Sequence, residues 1–263
     1  YALNLVAIAT RCAQYAESIG DTANYTAYTE QSDAYQTDAD DRRTAIHQVL
    51  WDPEHYHWRD FNATSGRFSN NSISIASWIP MWGGDGISLV PDADNDSKDK
   101  LVESLINSDL LQAAGVLTTR SETGQQWDSP NAWAPLVLFT IEGLNELNTD
   151  KASNLSNTVA NRWLNTCYLA YNATGYMYEK YNSFEVGVGG GGGEYIPQIG
   201  FGWSNGVALV LLDQLYGQGG GTANDDTSSE RSSGQKDSTT AIALEFGVPL
   251  AFCFIVGAIV VYW

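Results

Sequence analysis

The sequence is poor in positive charge. It has 13 lysines and arginines against 31 aspartates and glutamates, and its formal net charge is −18. Nucleic-acid phosphates are bound by basic surfaces, so the composition excludes a nucleic-acid partner. Adsorption to anionic lipid is disfavoured for the same reason. The ordinary effect of such a charge is to keep a protein soluble.

Cysteine and histidine are scarce, with three residues of each. Three cysteines are too few for a disulfide scaffold, although a Cys12–Cys167 pair stays open. Cys253 is interpreted as a small hydrophobe in an apolar tail. His55 and His57 lie two residues apart in a turn without a third ligand nearby, which is a weak zinc pattern. We therefore predict no metal site.

The sequence also lacks a leading methionine and a recognisable secretory leader. It begins at Tyr1, and Leu3–Ala9 has neither a basic leading segment nor a small-residue cleavage site. We therefore expect that an N-terminal part of the same protein precedes Tyr1. Six Asn-X-Ser/Thr sequons favour an extracellular or luminal surface. Their asparagines are Asn24, Asn62, Asn70, Asn95, Asn154 and Asn172.

Strand patterns are few and short, and helical periodicity dominates. One helix is expected in the first 20 residues, a second from Asp21 or Thr22, and a third from Asp38. A short hairpin is expected from residues 56–61 and 67–69. Further helices are predicted at about 72–82, 97–108, 131–147, 153–170 and 203–216. Helix pairs alternating with long, motif-bearing loops predict an all-α fold, either a helical array or an α/α toroid.

The composition changes near residue 217. Residues 217–240 have almost no apolar side chain and are predicted to be a flexible linker. Residues 241–263 are apolar beyond Glu245 and are predicted to be either a transmembrane helix or a signal for attachment of a glycosylphosphatidylinositol (GPI) anchor. Either alternative places the protein at the extracellular face of the plasma membrane.

A run of five glycines, Gly189–Gly193, is followed by Glu194 and then by a Phe-Gly-Trp sequence. Such a run loses much conformational entropy on folding. It is expected where the backbone passes close to another group, or where a flexible segment closes. Carboxylates beside aromatic rings suit carbohydrate, because a sugar has apolar faces and a rim of hydroxyls. These residues indicate a sugar-processing protein.

Two motifs carry a family resemblance. QWDSPNAWAP at residues 126–135 matches the QWDxPNxWxP signature of inverting α,α-trehalases, and residues 189–207 resemble the second, glycine-rich hallmark of that family. Glu179-Lys180-Tyr181 is similar to the EKY element that precedes it. The resemblance covers about residues 1–216. It implies an (α/α)6 barrel whose pocket closes over trehalose, with no metal and no organic cofactor.

Hydrolysis with inversion needs a carboxylic acid that protonates the glycosidic oxygen and a carboxylate that deprotonates water on the opposite face. By the motif match, the resemblance implies that Glu179 is the general base and that Glu194 is a pocket carboxylate. It also implies substrate-binding roles for Trp127, Asp128, Trp133, Phe201 and Trp203. Phe201 and Gly202 would lie in a covering loop hinged at the glycine run.

Structural interpretations remain open for four of these residues. Trp133 and Trp203 are also candidates for the packed interior. Asp128 precedes Ser-Pro and is placed to cap a helix that begins near Asn131. The carboxylate of Glu179 would form a solvated ion pair with Lys180 if it had no catalytic role.

Two family elements are not found in this sequence. The earlier signature PGGRFxExYxWDxY and the WDFSSRW-like element that supplies the catalytic aspartate are both missing. We therefore expect the chain to be the C-terminal part of a trehalase, inactive by itself and completed by an upstream part. The alternative is a membrane-tethered, non-catalytic sugar-binding module.

Overall fold

The computed structural model describes residues 2–69, 73–82, 89–90 and 94–217. Residues 218–263, which include most of the predicted linker and the whole predicted tail, lie outside the described residues, as does the Asn70 sequon. Within the described ranges, no helix is both long enough and apolar enough to cross a membrane.

Helices dominate the part of the chain that the structure describes. They are α1 Ala2–Ser18, α2 Thr22–Leu50, α3 Asn95–Ile106, α4 Ala134–Leu147, α5 Asp150–Thr174 and α6 Gly202–Tyr216. The strands form short antiparallel pairs: β1 Trp51–Asp52 with β2 His57–Trp58, β3 Phe61–Asn62 with β4 Arg67–Phe68, and β5 Asn131–Trp133 with β6 Lys180–Asn182. The predicted all-α class is confirmed.

Consecutive helices pack in pairs. Helix α1 lies along α2, and α4 lies along α5, while α6 contacts both α4 and α5. The main core is formed around the second pair by large buried side chains, among them Trp78, Trp133, Trp163, Tyr181, Leu101, Leu105, Ile141 and Leu144. The contact between α1 and α2 is different, because its buried residues are alanines: Ala9, Ala13, Ala16 and Ala39. The larger buried side chains therefore lie outside the α1–α2 contact, and the candidate site belongs to the α3–α6 part of the chain.

The predicted boundary at Asp38 is wrong, because α2 continues from Thr22 to Leu50. Asp21 caps its start, where the carboxylate accepts a hydrogen bond from the backbone N–H of Asn24 at 3.1 Å. No glycine or proline interrupts the segment. The acids that suggested a new helix are tolerated inside it, and Arg43 pairs with Asp40 one turn away at 3.0 Å.

Two other predicted helices also differ from the structure. Residues 72–82 contain two 3₁₀ turns, Ile75–Ser77 and Ile79–Met81, instead of one α-helix. Pro80 lacks the N–H that a continuing helix would use. The helix predicted from residue 131 begins at Ala134, because Asn131–Trp133 pairs with β6 as a strand. Pro135 lies in the first turn of α4, where no hydrogen bond requires its N–H.

Both described cysteines are free. Cys12 is partly exposed and Cys167 is buried, so no disulfide joins them. Burial raises the pKa of the Cys167 thiol to about 12, which keeps it protonated and unreactive at neutral pH.

The predicted hairpin is in fact two successive ribbons, and Asp52 holds the first one together. The Asp52 carboxylate is 5% exposed and accepts hydrogen bonds from Arg59 Nη1 at 2.8 Å and His55 Nδ1 at 2.9 Å. It also accepts the backbone N–H groups of Glu54 and His55. Burial alone would raise the pKa of Asp52, but these donors outweigh it and the pKa is lowered. Of the two histidines with the weak zinc pattern, His55 therefore lies in the turn and bonds to Asp52, and His57 lies in β2.

Replacing Asp52 by alanine is expected to lower the free energy of unfolding by about 3 kcal/mol, because Arg59 and two backbone N–H groups lose their acceptor. Urea denaturation measures this change. Asp60→Ala is the matched control, since Asp60 is exposed and close in sequence. Equal effects of the two substitutions would show that the Asp52 hydrogen bonds do not stabilise this ribbon.

Candidate active site

The pairing of β5 with β6 brings the sequence motifs together. Asn131 lies opposite Asn182 and Trp133 opposite Lys180, so the QWDSPNAWAP segment is bound to the EKY segment. The glycine run joins on the other side, where the Gly190 N–H donates to the Lys180 carbonyl at 2.8 Å. The QWDSPNAWAP segment, the EKY segment and the glycine run therefore form one ribbon, although the first of these is distant in sequence from the other two.

The glycine run is packed against its neighbours. A Cβ atom on Gly190 would lie 2.5 Å from Asn131 Oδ1 and 2.9 Å from Lys180 Cγ. Gly193 has a φ of +81°, and a Cβ there would lie 2.8 Å from the Cβ of Gln126. Backbone N–H groups of the run also donate to Asn131 Oδ1 and to a carbonyl of the preceding motif. Of the two interpretations of this run, close approach of the backbone is therefore the one seen in this structure.

Glu179 is held at the start of this ribbon. Its side chain is nearly buried, with the residue 7% exposed. The Tyr195 hydroxyl donates to Oε1 at 2.9 Å, and the Gln198 backbone N–H donates to Oε2 at 3.1 Å. The Trp203 indole N–H donates to the Glu179 carbonyl at 2.7 Å. Each carboxylate oxygen keeps a lone pair, so a fixed carboxylate of this kind can accept a proton from water.

Lys180 points into the ribbon and is fully buried. Its ammonium group donates to the carbonyls of Gly192 at 3.2 Å and Gln126 at 3.4 Å. It also lies 5.1 Å from the centroid of the Trp133 ring and 5.5 Å from that of Tyr195. Burial lowers the pKa of Lys180, although the charge of Glu179 opposes this shift. A solvated ion pair between neighbouring side chains is therefore the wrong description of residues 179 and 180.

The predicted aromatic residues form one cluster. Trp127 stacks on Trp133 with ring centroids 4.0 Å apart, and Trp203 meets Trp133 edge-on at 5.5 Å. Phe201 lies 4.7 Å from Trp203. Trp133 is only 1% exposed, so packing is its role within this chain. The other three rings are partly exposed and remain accessible to a ligand.

Asp128 does not cap α4. The residue that precedes this helix is Trp133, which makes no capping hydrogen bond from its side chain. The Asp128 carboxylate instead accepts hydrogen bonds from the hydroxyls of Thr119, at 2.9 Å, and Thr123. It therefore fixes the shape of the loop that carries Trp127.

Glu194 lies at the exposed surface of the loop that follows the glycine run. Its carboxylate has no hydrogen-bond or ion-pair partner among the described residues. Its neighbours are held on both sides, because the Gly193 N–H donates to the Gly124 carbonyl at 2.8 Å and Tyr195 bonds to Glu179. A free carboxylate on a fixed backbone is suited to accept hydroxyl hydrogen bonds.

Sequence reasoning missed the residues that hold Glu179 in place. Tyr195 directly follows Glu194 within the glycine-rich motif, and this was the available signal.

A cavity of about 380 Å³ lies apart from the predicted site residues, none of which lines it. Its lining residues are Glu122, Gly124, Ser129, Pro130, Asn182, Phe184 and Glu185. Among the described residues, no group of three or more potential ligands is placed to hold a metal ion.

Replacing Gly190 by alanine is expected to lower the free energy of unfolding by about 1–3 kcal/mol, because the new methyl group would collide with Asn131 and Lys180. Gly191→Ala is the matched control, since no atom lies within 4 Å of a Cβ there. Its effect should stay within about 1 kcal/mol. Urea denaturation measures both. Similar losses from the two substitutions would indicate that the run needs flexibility and not close approach.

Comparisons with known proteins agree with the motifs. The sequence model of the trehalase family matches residues 4–216. A probable trehalase of Oryza sativa is 39% identical over 76% of this chain, and the trehalase of Arabidopsis thaliana is 37% identical over 71%. The match covers 37% and 30% of these relatives, so the chain spans about a third of their length.

A solved structure supports the same assignment. Neutral trehalase Nth1 of Saccharomyces cerevisiae is similar to this chain with a TM-score of 0.54 and 25% sequence identity. The similarity covers 69% of this chain and 30% of the yeast protein. The family model and the sequence relatives thus confirm the resemblance drawn from QWDSPNAWAP and the glycine run. This chain belongs to the trehalase family of glycoside hydrolases.

Proposed function

We propose that this chain is the C-terminal part of the catalytic domain of an enzyme that hydrolyses α,α-trehalose to two glucose molecules with inversion. Its relatives carry the name trehalase. The observation that carries the proposal is the setting of Glu179, a carboxylate fixed through both oxygens and located in the EKY segment. The helix pair α4–α5 and the adjoining α6 are proposed to be consecutive members of an (α/α)6 barrel.

In this mechanism Glu179 is the general base. It removes a proton from a water molecule, which attacks the anomeric carbon on the face opposite to the leaving sugar. A carboxylic acid must protonate the glycosidic oxygen at the same time. We propose that this acid comes from an upstream part of the protein, since the chain spans only about a third of its relatives.

The other predicted residues are proposed to bind the sugar. Glu194 accepts hydrogen bonds from hydroxyls, and Trp127 and Trp203 offer ring faces to the apolar side of a glucose unit. Phe201 covers the ligand from the loop before α6. Asp128 and Trp133 support these residues from within the protein. Asp128 is bonded to threonine hydroxyls, and Trp133 is buried. The reaction requires no metal and no organic cofactor.

Replacing Glu179 by glutamine in the complete protein should lower kcat for trehalose about 1,000-fold or more, because an amide cannot accept the proton from water. Glu185→Gln is the matched control and should retain activity, since Glu185 is exposed and its carboxylate bonds only to Asn182 among the described residues. Glucose release measures both. If Glu179→Gln were fully active, the base would lie elsewhere and Glu194 would be tested next.

We also propose that the protein is held at the extracellular face of the plasma membrane by residues 241–263. The five sequon asparagines within the described residues are all exposed, which suits an extracellular or luminal surface: Asn24, Asn62, Asn95, Asn154 and Asn172. The apolar composition of the tail supports the attachment itself.

Deleting residues 241–263 from the complete protein should move it from the membrane fraction to the medium, because the apolar segment would be lost. Immunoblots of both fractions measure the change. Treatment of the intact protein with a phosphatidylinositol-specific phospholipase then separates the two anchors, since only a GPI anchor is cut. Recovery of the undeleted protein in the medium would contradict the proposal.

A further inference from the structure

Lys180 poses a physical problem that its motif does not explain. Its side chain is fully buried, and none of the described carboxylates forms an ion pair with it. Removing an ammonium group from water costs several kcal/mol, and two backbone carbonyls offset only part of that cost. A methionine would fill similar space without this cost. We therefore expect the positive charge of Lys180 to have a function besides filling space.

The contacts of Lys180 indicate what that function is. Its ammonium group donates to Gln126 and Gly192 and thereby ties the glycine run to the QWDSPNAWAP segment. Three residues after Gly192 comes Tyr195, whose ring lies against the same ammonium group at 5.5 Å. Lys180 therefore constrains both the backbone that leads to Tyr195 and the ring of Tyr195 itself.

Tyr195 in turn acts directly on Glu179. Its hydroxyl donates to Oε1 at 2.9 Å and is the only side-chain donor to this carboxylate within the described residues. Burial, together with the hydrogen bond to Glu179, raises the pKa of Tyr195 to about 12. The phenol therefore keeps its proton and remains a donor at neutral pH. A donor fixed on one oxygen orients the carboxylate.

We propose that Tyr195 and Lys180 are positioning residues for Glu179: Tyr195 orients the carboxylate, and Lys180 holds Tyr195 in place. This inference rests on the proposed role of Glu179 as the general base. It assigns to Lys180 of the EKY segment and Tyr195 of the glycine-rich motif a shared task, which is to keep one carboxylate in a fixed orientation.

The test is the steady-state kinetics of trehalose hydrolysis by the complete protein carrying Tyr195→Phe. We expect kcat to fall about 10- to 100-fold, the loss of one hydrogen bond to a charged group, with KM changed less than about threefold. A loss confined to kcat distinguishes misplacement of the base from general damage to the substrate pocket, which would also raise KM. Tyr168→Phe is the matched control, since Tyr168 is 63% exposed on α5.

A double substitution separates positioning from a general structural effect. If Tyr195 acts through Glu179, then Tyr195→Phe should cause no further loss in a protein that already carries Glu179→Gln. Additive losses would overturn the inference. If Glu179→Gln were inactive and Tyr195→Phe fully active, this inference would be overturned and the proposed function would stand. If Glu179→Gln were active, the proposed function itself would be overturned.

Lys180→Met tests the second half of the proposal. We expect kcat to fall as in Tyr195→Phe but by a smaller factor, with KM little changed, while the free energy of unfolding stays the same or rises. A folded Lys180→Met protein with an unchanged kcat would remove Lys180 from the proposal. If this variant did not fold, Lys180 would be a structural residue and its part of the proposal would be overturned.

Discussion

The antiparallel pairing of Asn131–Trp133 with Lys180–Asn182 is the contact on which the candidate site depends. It fixes the register between two motifs that lie far apart in sequence. The glycine run can then pass along the free edge of β6, because glycine has no side chain. A larger residue at Gly190 would collide with Asn131 and Lys180. Only when that passage is in place do Tyr195 and the following residues reach Glu179. The site is therefore built outward from a three-residue strand.

The charge at the centre of this assembly is opposite in sign to the net charge of the chain. The chain carries a formal net charge of −18, yet the side chain at the centre of the ribbon is a lysine. Backbone carbonyls and aromatic rings surround it, and both present partial negative charge without a second full charge. The carboxylates of Glu179 and Glu194 do not contact the lysine ammonium group. That of Glu179 is held by neutral donors, and that of Glu194 stays free. Neither is neutralised by a direct ion pair among the described residues.

The sequence predicted much of this architecture, and what it missed has a common cause. The helical class followed from periodicity, which is a local property, and the motifs were recognised by their resemblance to the trehalase family. The strand at residues 131–133 was assigned to a helix because its partner is distant, and pairing with that partner overrode local preference. The helix boundary predicted at Asp38 was wrong because a local signal was given too much weight. Acidic residues are tolerated inside a solvated helix. The hydroxyl that holds Glu179 depends on tertiary contact, which a single sequence does not display.

The alanine seam between α1 and α2 bears on how the chain moves. Alanine side chains allow close approach but bury little apolar area, so this helix pair gains less from packing than the tryptophan-rich core around α4 and α5. Elements with few buried apolar contacts open locally at a lower free energy than the rest of a domain. The amide hydrogens of α1 should therefore exchange with solvent through local openings in which the core stays closed.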